Sequence, residues 1–182
     1  MMIDYVTLML INMTAGLVTL AFFLWQGIDS PDRAKWAPAF SIPGVIAVVC
    51  GFAMTFTWPL PAPYSMLFGE MSVLLGALFI AAAWALAKGW SLLPLGIYAF
   101  FAGSSAILLG VRLITLSLTK SPALSGTGFI LTGLAGVFAG LAIWQYKVKL
   151  LRAAGAAVLL AAAAIWALTA YLAYWSHMLV KP

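Results

Sequence analysis

Residues 66–87 read MLFGEMSVLLGALFIAAAWALA and residues 91–116 read SLLPLGIYAFFAGSSAILLGVRLITL, with only Lys88, Gly89 and Trp90 between them. A helix needs about 20 apolar residues to cross the hydrocarbon of a bilayer. Both runs reach that length, so the sequence predicts two membrane-crossing helices joined by a tight hairpin. Four further runs qualify. Residues 5–26 end at the turn-rich stretch that carries Asp29, Pro31, Asp32, Arg33 and Lys35. Residues 37–58 are closed by Pro59, Pro61 and Pro63, which lack amide donors and restrict the residues before them. Residues 127–144 and 153–175 flank a basic connection containing Lys147, Lys149 and Arg152. The expectation is an all-α integral membrane bundle of six helices, one domain over residues 1–182. The first run has Asp4 before it instead of a basic leader, and it is read as a retained helix.

Composition agrees with this reading. Hydrophobic residues make up 65% of the chain and charged residues 7%, against about 45–50% and about 25% in soluble domains. Such a surface must face lipid. A separate soluble catalytic domain has no room, and nucleic acid is not expected as a partner. The net charge of +5 is unevenly placed: Arg33, Lys35, Lys88, Lys147, Lys149 and Arg152 fall in the connections after the first, third and fifth helices, whereas Arg112, Lys120 and Lys181 fall on the other side. The positive-inside tendency then places both termini outside.

Chemistry-bearing residues are few. Cys50 is the single cysteine and His177 the single histidine, which leaves no disulfide, no cysteine zinc site and no bis-histidine haem within the chain. His177 and Met178 are adjacent and would point to different faces of a helix. No metalloprotease, nucleophile-elbow or dithiol motif is present, so neither a catalytic set nor a cofactor or metal site is expected. Asp29 and Asp32, beside Arg33 and Lys35, look like a solvated turn.

The remaining ionisable groups, Asp4, Glu70, Arg112 and His177, sit near the predicted outer ends of helices and none lies at mid-membrane. That pattern argues against an ion pump or a proton-coupled carrier. Glu70 is expected in or near the first turn of the third helix, where the dipole favours an anion, within reach of Arg112 on the fourth. The proline segment is expected to run extended and to carry Tyr64 and Phe68 into the bundle. Phe79, Trp84, Tyr98 and Phe138 lie inside the spans, where rings either pack a core or narrow a pore. Trp25, Trp36, Trp58, Trp90, Trp144, Tyr146 and Trp175 fit interfacial belts. Gly133, Gly136 and Gly140, with the alanines of the last helix, form small-residue packing faces.

The stretch Thr57-Trp58-Pro59-Leu60-Pro61-Ala62-Pro63-Tyr64, followed by Phe68-Gly69-Glu70, resembles the signature T-x-P-L-P-G-P-Y-N-I-x-F-G-E of a family of small prokaryotic membrane proteins without an assigned activity. Here Ala62 replaces the usual Gly, and Ser65-Met66 stands in place of Asn-Ile. In plan, the chain is also similar to the AmiS/UreI family of urea and amide channels, through residues 76–83 followed by Gly89, Trp90 and Tyr98. It lacks the Tyr of that segment and has Phe138 where those channels carry pore tryptophans. The resemblance implies two three-helix repeats, a homo-oligomer with one pore per protomer, and a prokaryotic inner-membrane location. It favours a non-enzymatic passive channel for a small neutral solute such as urea, a short amide, ammonia or water, with Tyr64, Phe68, Glu70, Phe79, Trp84, Tyr98, Arg112, Phe138 and His177 as pore or vestibule candidates. The alternative expectation is an accessory subunit of a larger membrane complex.

Overall fold

The computed structural model describes residues 5–178, and these are helical throughout apart from their connections. Helix α1 (Tyr5–Phe22) runs on into a π-helical turn (Phe23–Gly27), and a short 3-10 turn (Ala34–Trp36) leads into α2 (Ala37–Thr57). Then come α3 (Tyr64–Ala87), α4 (Leu95–Thr115), α5 (Pro122–Val137), α6 (Ala139–Trp144) and α7 (Lys149–His177). Among the described residues, five stretches are long and apolar enough to cross a membrane: Val6–Gly27, Ala34–Thr57, Tyr64–Ala87, Leu95–Thr115 and Lys149–His177. The run expected as a fifth uninterrupted span is instead broken. Its helix starts early, on Pro122, and stops after 16 residues at Phe138, whose φ is −90° and ψ 0°. Gly126, Gly128, Gly133, Gly136 and Gly140 weaken helix propensity along this stretch.

The helices form a closed ring in which each packs on the next, with α5 meeting α7 and α7 closing onto α1. Glycines seven residues apart set two of the tight seams. Gly96, Gly103 and Gly110 of α4 face Gly140, Gly133 and Gly126 in antiparallel order, and a Cβ on Gly103 would lie 2.5 Å from the Gly133 carbonyl oxygen. On α2 and α3, Gly44 faces Gly76 and Gly51 faces Gly69 in the same fashion. Close backbone approach is how helices gain contact where lipid is as apolar as their own side chains. The tight glycine seams are therefore α2/α3 and α4/α5; α1 and α7 also pack extensively, whereas α6 touches α7 only lightly.

Two expectations about the connections change. The proline segment closes in a turn: Trp58 is left-handed (φ 46°), the Ala62–Pro63 bond is cis, and the Tyr64 amide donates to the Pro61 carbonyl at 2.9 Å. Because α3 begins at Tyr64, Glu70 falls beyond the first turn, away from the dipole end. Helix α7 begins at Lys149, which moves Arg152 out of the connection and into a helix.

Candidate functional site

Arg152 is the residue whose role the sequence hid. Its side chain is 8% exposed, and it spans from α7 to the end of the first membrane-crossing stretch. A π turn shifts the backbone pairing by one residue, so that the Ile28 amide donates to Phe23 at 2.8 Å, and carbonyls at its end need other donors. The planar guanidinium fits that need. Nε donates to the Leu24 carbonyl at 2.9 Å, Nη2 donates to the Trp25 carbonyl, and Nη1 donates to Asp29 Oδ2 at 2.6 Å. Asp29 is an exposed turn residue, but it is also paired with Arg152. The hydrogen bond from Arg152 holds its carboxyl below the usual carboxylate range, although 52% of its side chain stays exposed.

Next to this latch, with Leu24, Ile28 and Leu151 in its lining, is a chamber of about 340 Å³ inside the ring. Its lining comes from the half of each helix that lies toward the basic connections: Leu17 to Leu24 of the first stretch, Phe40, Leu75 to Ala82, Leu92 to Ala99, Thr132 to Ile143, and Leu151 to Leu159. Thr132 carries the one polar side chain in the lining, and it is already engaged. Its hydroxyl donates to Gly128 at 2.8 Å and accepts from Trp166 Nε1 at 3.0 Å. Ile28 and Leu92, both buried, close the chamber toward the basic end. Phe138, just before α6, and Ala154, on α7, line it and are the lining residues that stay exposed. Its exposed lining thus lies at the α6/α7 seam.

Toward the opposite end the ring is filled. Trp166 and Phe129 are 1% and 3% exposed and meet edge to face at 5.2 Å, and Phe129 continues to Phe68 at 6.1 Å. Beside these rings lies a void of only about 20 Å³, lined by Asn12 and Ser72 among apolar residues, enough for about one water. Asn12 donates to the Pro43 carbonyl at 2.9 Å. Leu75 borders both the void and the chamber.

The pore or vestibule candidates scatter. Phe79, 4% exposed and 5.3 Å from the Phe40 ring, and Phe138 line the chamber. Phe68 borders the small void, and the half-buried Tyr64 donates its hydroxyl to the Leu118 carbonyl. Trp84, 60% exposed, and Tyr98 stand on the outer surface, as does His177. Glu70 and Arg112 are both exposed and do not pair: the ion pair among the described residues is Arg152–Asp29. The reason is helical phase. Gly69 faces α2 and Leu113 faces the core, so the next residue on one helix and the preceding one on the other turn about 100° away. Asp4, the fourth outer-end ionisable residue, lies outside the described residues. Among the described residues no cluster of three or more His, Cys, Asp or Glu could hold a metal ion.

Residues 1–179 match the family described as "Protein of unknown function (DUF981)", and the chain belongs to that family. No curated protein and no solved structure matches it.

Proposed function

We propose that this DUF981 member is a non-catalytic membrane protein that holds one hydrocarbon chain of a membrane amphiphile in its chamber. We take Pro122–Trp144, broken at Phe138, as the sixth crossing of the bilayer, with both termini outside and the basic connections in the cytoplasm. The observation that carries the reading is an apolar chamber with Phe68, Phe129 and Trp166 filling the ring beyond it; its exposed lining residues, Phe138 and Ala154, are where we take a chain to enter from the side. A methylene occupies roughly the share of liquid volume that a water does, about 30 Å³, so 340 Å³ accommodates on the order of ten methylenes. Urea or an amide would leave several polar groups unpaired here, because the Thr132 hydroxyl is already engaged. Each such group costs about 1–3 kcal/mol.

The test is photo-crosslinking in vesicles with a fatty acid bearing a diazirine in its chain. Label at Ala135, Leu159 and their chamber neighbours, lost on Ala154→Trp, is the expected result. Label confined to outward residues such as Phe52, Phe56 and Leu108 would overturn the reading.

A second reading, passive passage of a small neutral solute, draws on the void beside Asn12 and Ser72, which meets the chamber across Leu75. It requires the Phe68, Phe129 and Trp166 rings to part. Stopped-flow permeability of vesicles to ammonia, urea and acetamide measures it directly, and rates equal to those of protein-free vesicles would refute it.

A further inference from the structure

The mouth of the chamber carries charge that its interior does not. Lys147 and Lys149 stand exposed in and just after the connection between α6 and α7, and the ion pair among the described residues does not involve either of them. Asp29 lies close enough to feel Lys149 but is engaged by Arg152. Helix α7 starts after the extended Val148 with no side-chain cap, so the dipole's positive end lies at the same place. From Lys149 to Ala154, an exposed residue of the chamber's lining, the rise is about 7.5 Å along α7. That interval suits the glycerol backbone linking a phosphate to its acyl chain.

We infer that the occupant of the chamber is an anionic phospholipid, with one acyl chain entering between α6 and α7 at Phe138 and Ala154 and its phosphate held by Lys147 and Lys149. This rests on the chain-binding reading and adds the headgroup. A zwitterionic lipid offers the same chain but brings its own cation to a mouth that already carries two, so the site discriminates by charge while the chamber binds by apolar contact. Basic residues at a membrane surface favour anionic lipid by roughly five-fold each, which gives about thirty-fold for the two lysines.

The experiment titrates the delipidated full-length protein in a neutral detergent with phosphatidylglycerol and, separately, phosphatidylcholine, counting bound lipid by native mass spectrometry. The expected result is one tightly held lipid, phosphatidylglycerol favoured by roughly ten- to thirty-fold, and a preference that collapses in the Lys147→Gln, Lys149→Gln double variant while phosphatidylcholine binding is unchanged. Ala154→Trp and, from the opposite wall, Ala139→Trp should each abolish the tight lipid of either headgroup. Two variants are used so that a folding failure of one leaves the other to decide. Equal affinity for the two lipids, or a preference that survives loss of both lysines, overturns the headgroup inference and leaves the chamber reading standing. Unchanged binding in both tryptophan variants, or no tightly held lipid at all, overturns both.

Discussion

Arg152→Met tests how far one side chain holds the floor of the ring. Methionine keeps much of the stem's length and apolar contact but donates nothing, so the Leu24 and Trp25 carbonyls lose their side-chain donor. A buried carbonyl left unsatisfied costs about 1–3 kcal/mol, and with the Leu24 site buried and the Trp25 site partly so, the sum is about 2–4 kcal/mol. At roughly 2–4 °C per kcal/mol for a chain of this size, Tm should fall by about 5–15 °C in a thermal melt of the detergent-solubilised protein. Arg152→Lys should recover only part of this, because an ammonium cannot reach three acceptors with a fixed fork. Asp29→Asn should change little, since its carboxylate is half exposed and solvent takes over. The pH dependence follows the same logic. Asp29 has a lowered folded-state pKa, so its contribution is fully present above the ordinary Asp value of about 3.9 and is lost only as pH falls through the lowered one. Tm should therefore be insensitive to Asp29 from pH 5 upward. An Arg152→Met variant melting within about 2 °C of wild type, or an Asp29→Asn variant as damaging as Arg152→Met, would refute the argument that backbone capping dominates over the ion pair.

Gly103→Ala should destabilise by about 1–3 kcal/mol net of its helix-propensity gain of about 1 kcal/mol, because the added Cβ meets the Gly133 carbonyl oxygen at 2.5 Å and the Val137 amide nitrogen at 2.7 Å, backbone atoms that no rotamer can move; cysteine crosslinking across α4/α5 would report the wider seam. Thr132→Val keeps the shape but removes the acceptor of Trp166 Nε1, so a loss of about 1–3 kcal/mol in unfolding stability, with a shift in tryptophan emission, is expected. Glu70→Gln and Arg112→Gln should be small and additive in a double-mutant cycle, because the two side chains are exposed and unpaired.

Apolar length and proline placement made the helical class and the positions of most helices legible in the sequence: 37–58 against the observed Ala37–Thr57, and 66–87 against Tyr64–Ala87, differ by one or two residues at an end. Charge asymmetry marked out one end of the bundle as basic. These are properties of single segments, set by local solvation, so a linear reading reaches them. What lay outside that reach depends on partners far away in the chain. Arg152 looked like one more cytoplasmic cation because its acceptors lie more than 120 residues earlier. The Glu70–Arg112 pair looked plausible because sequence gives nearness along helices but not their relative rotation. A signal for the glycine seams was in fact present, in the seven-residue spacing of Gly96, Gly103 and Gly110 and of Gly126, Gly133 and Gly140; reading it required knowing that these two helices pack antiparallel. The chamber had no sequence signature at all. It is the space left where glycine seams draw some pairs of helices together while α6 and α7 stay apart, and such a remainder is fixed only when every helix has taken its place in the ring.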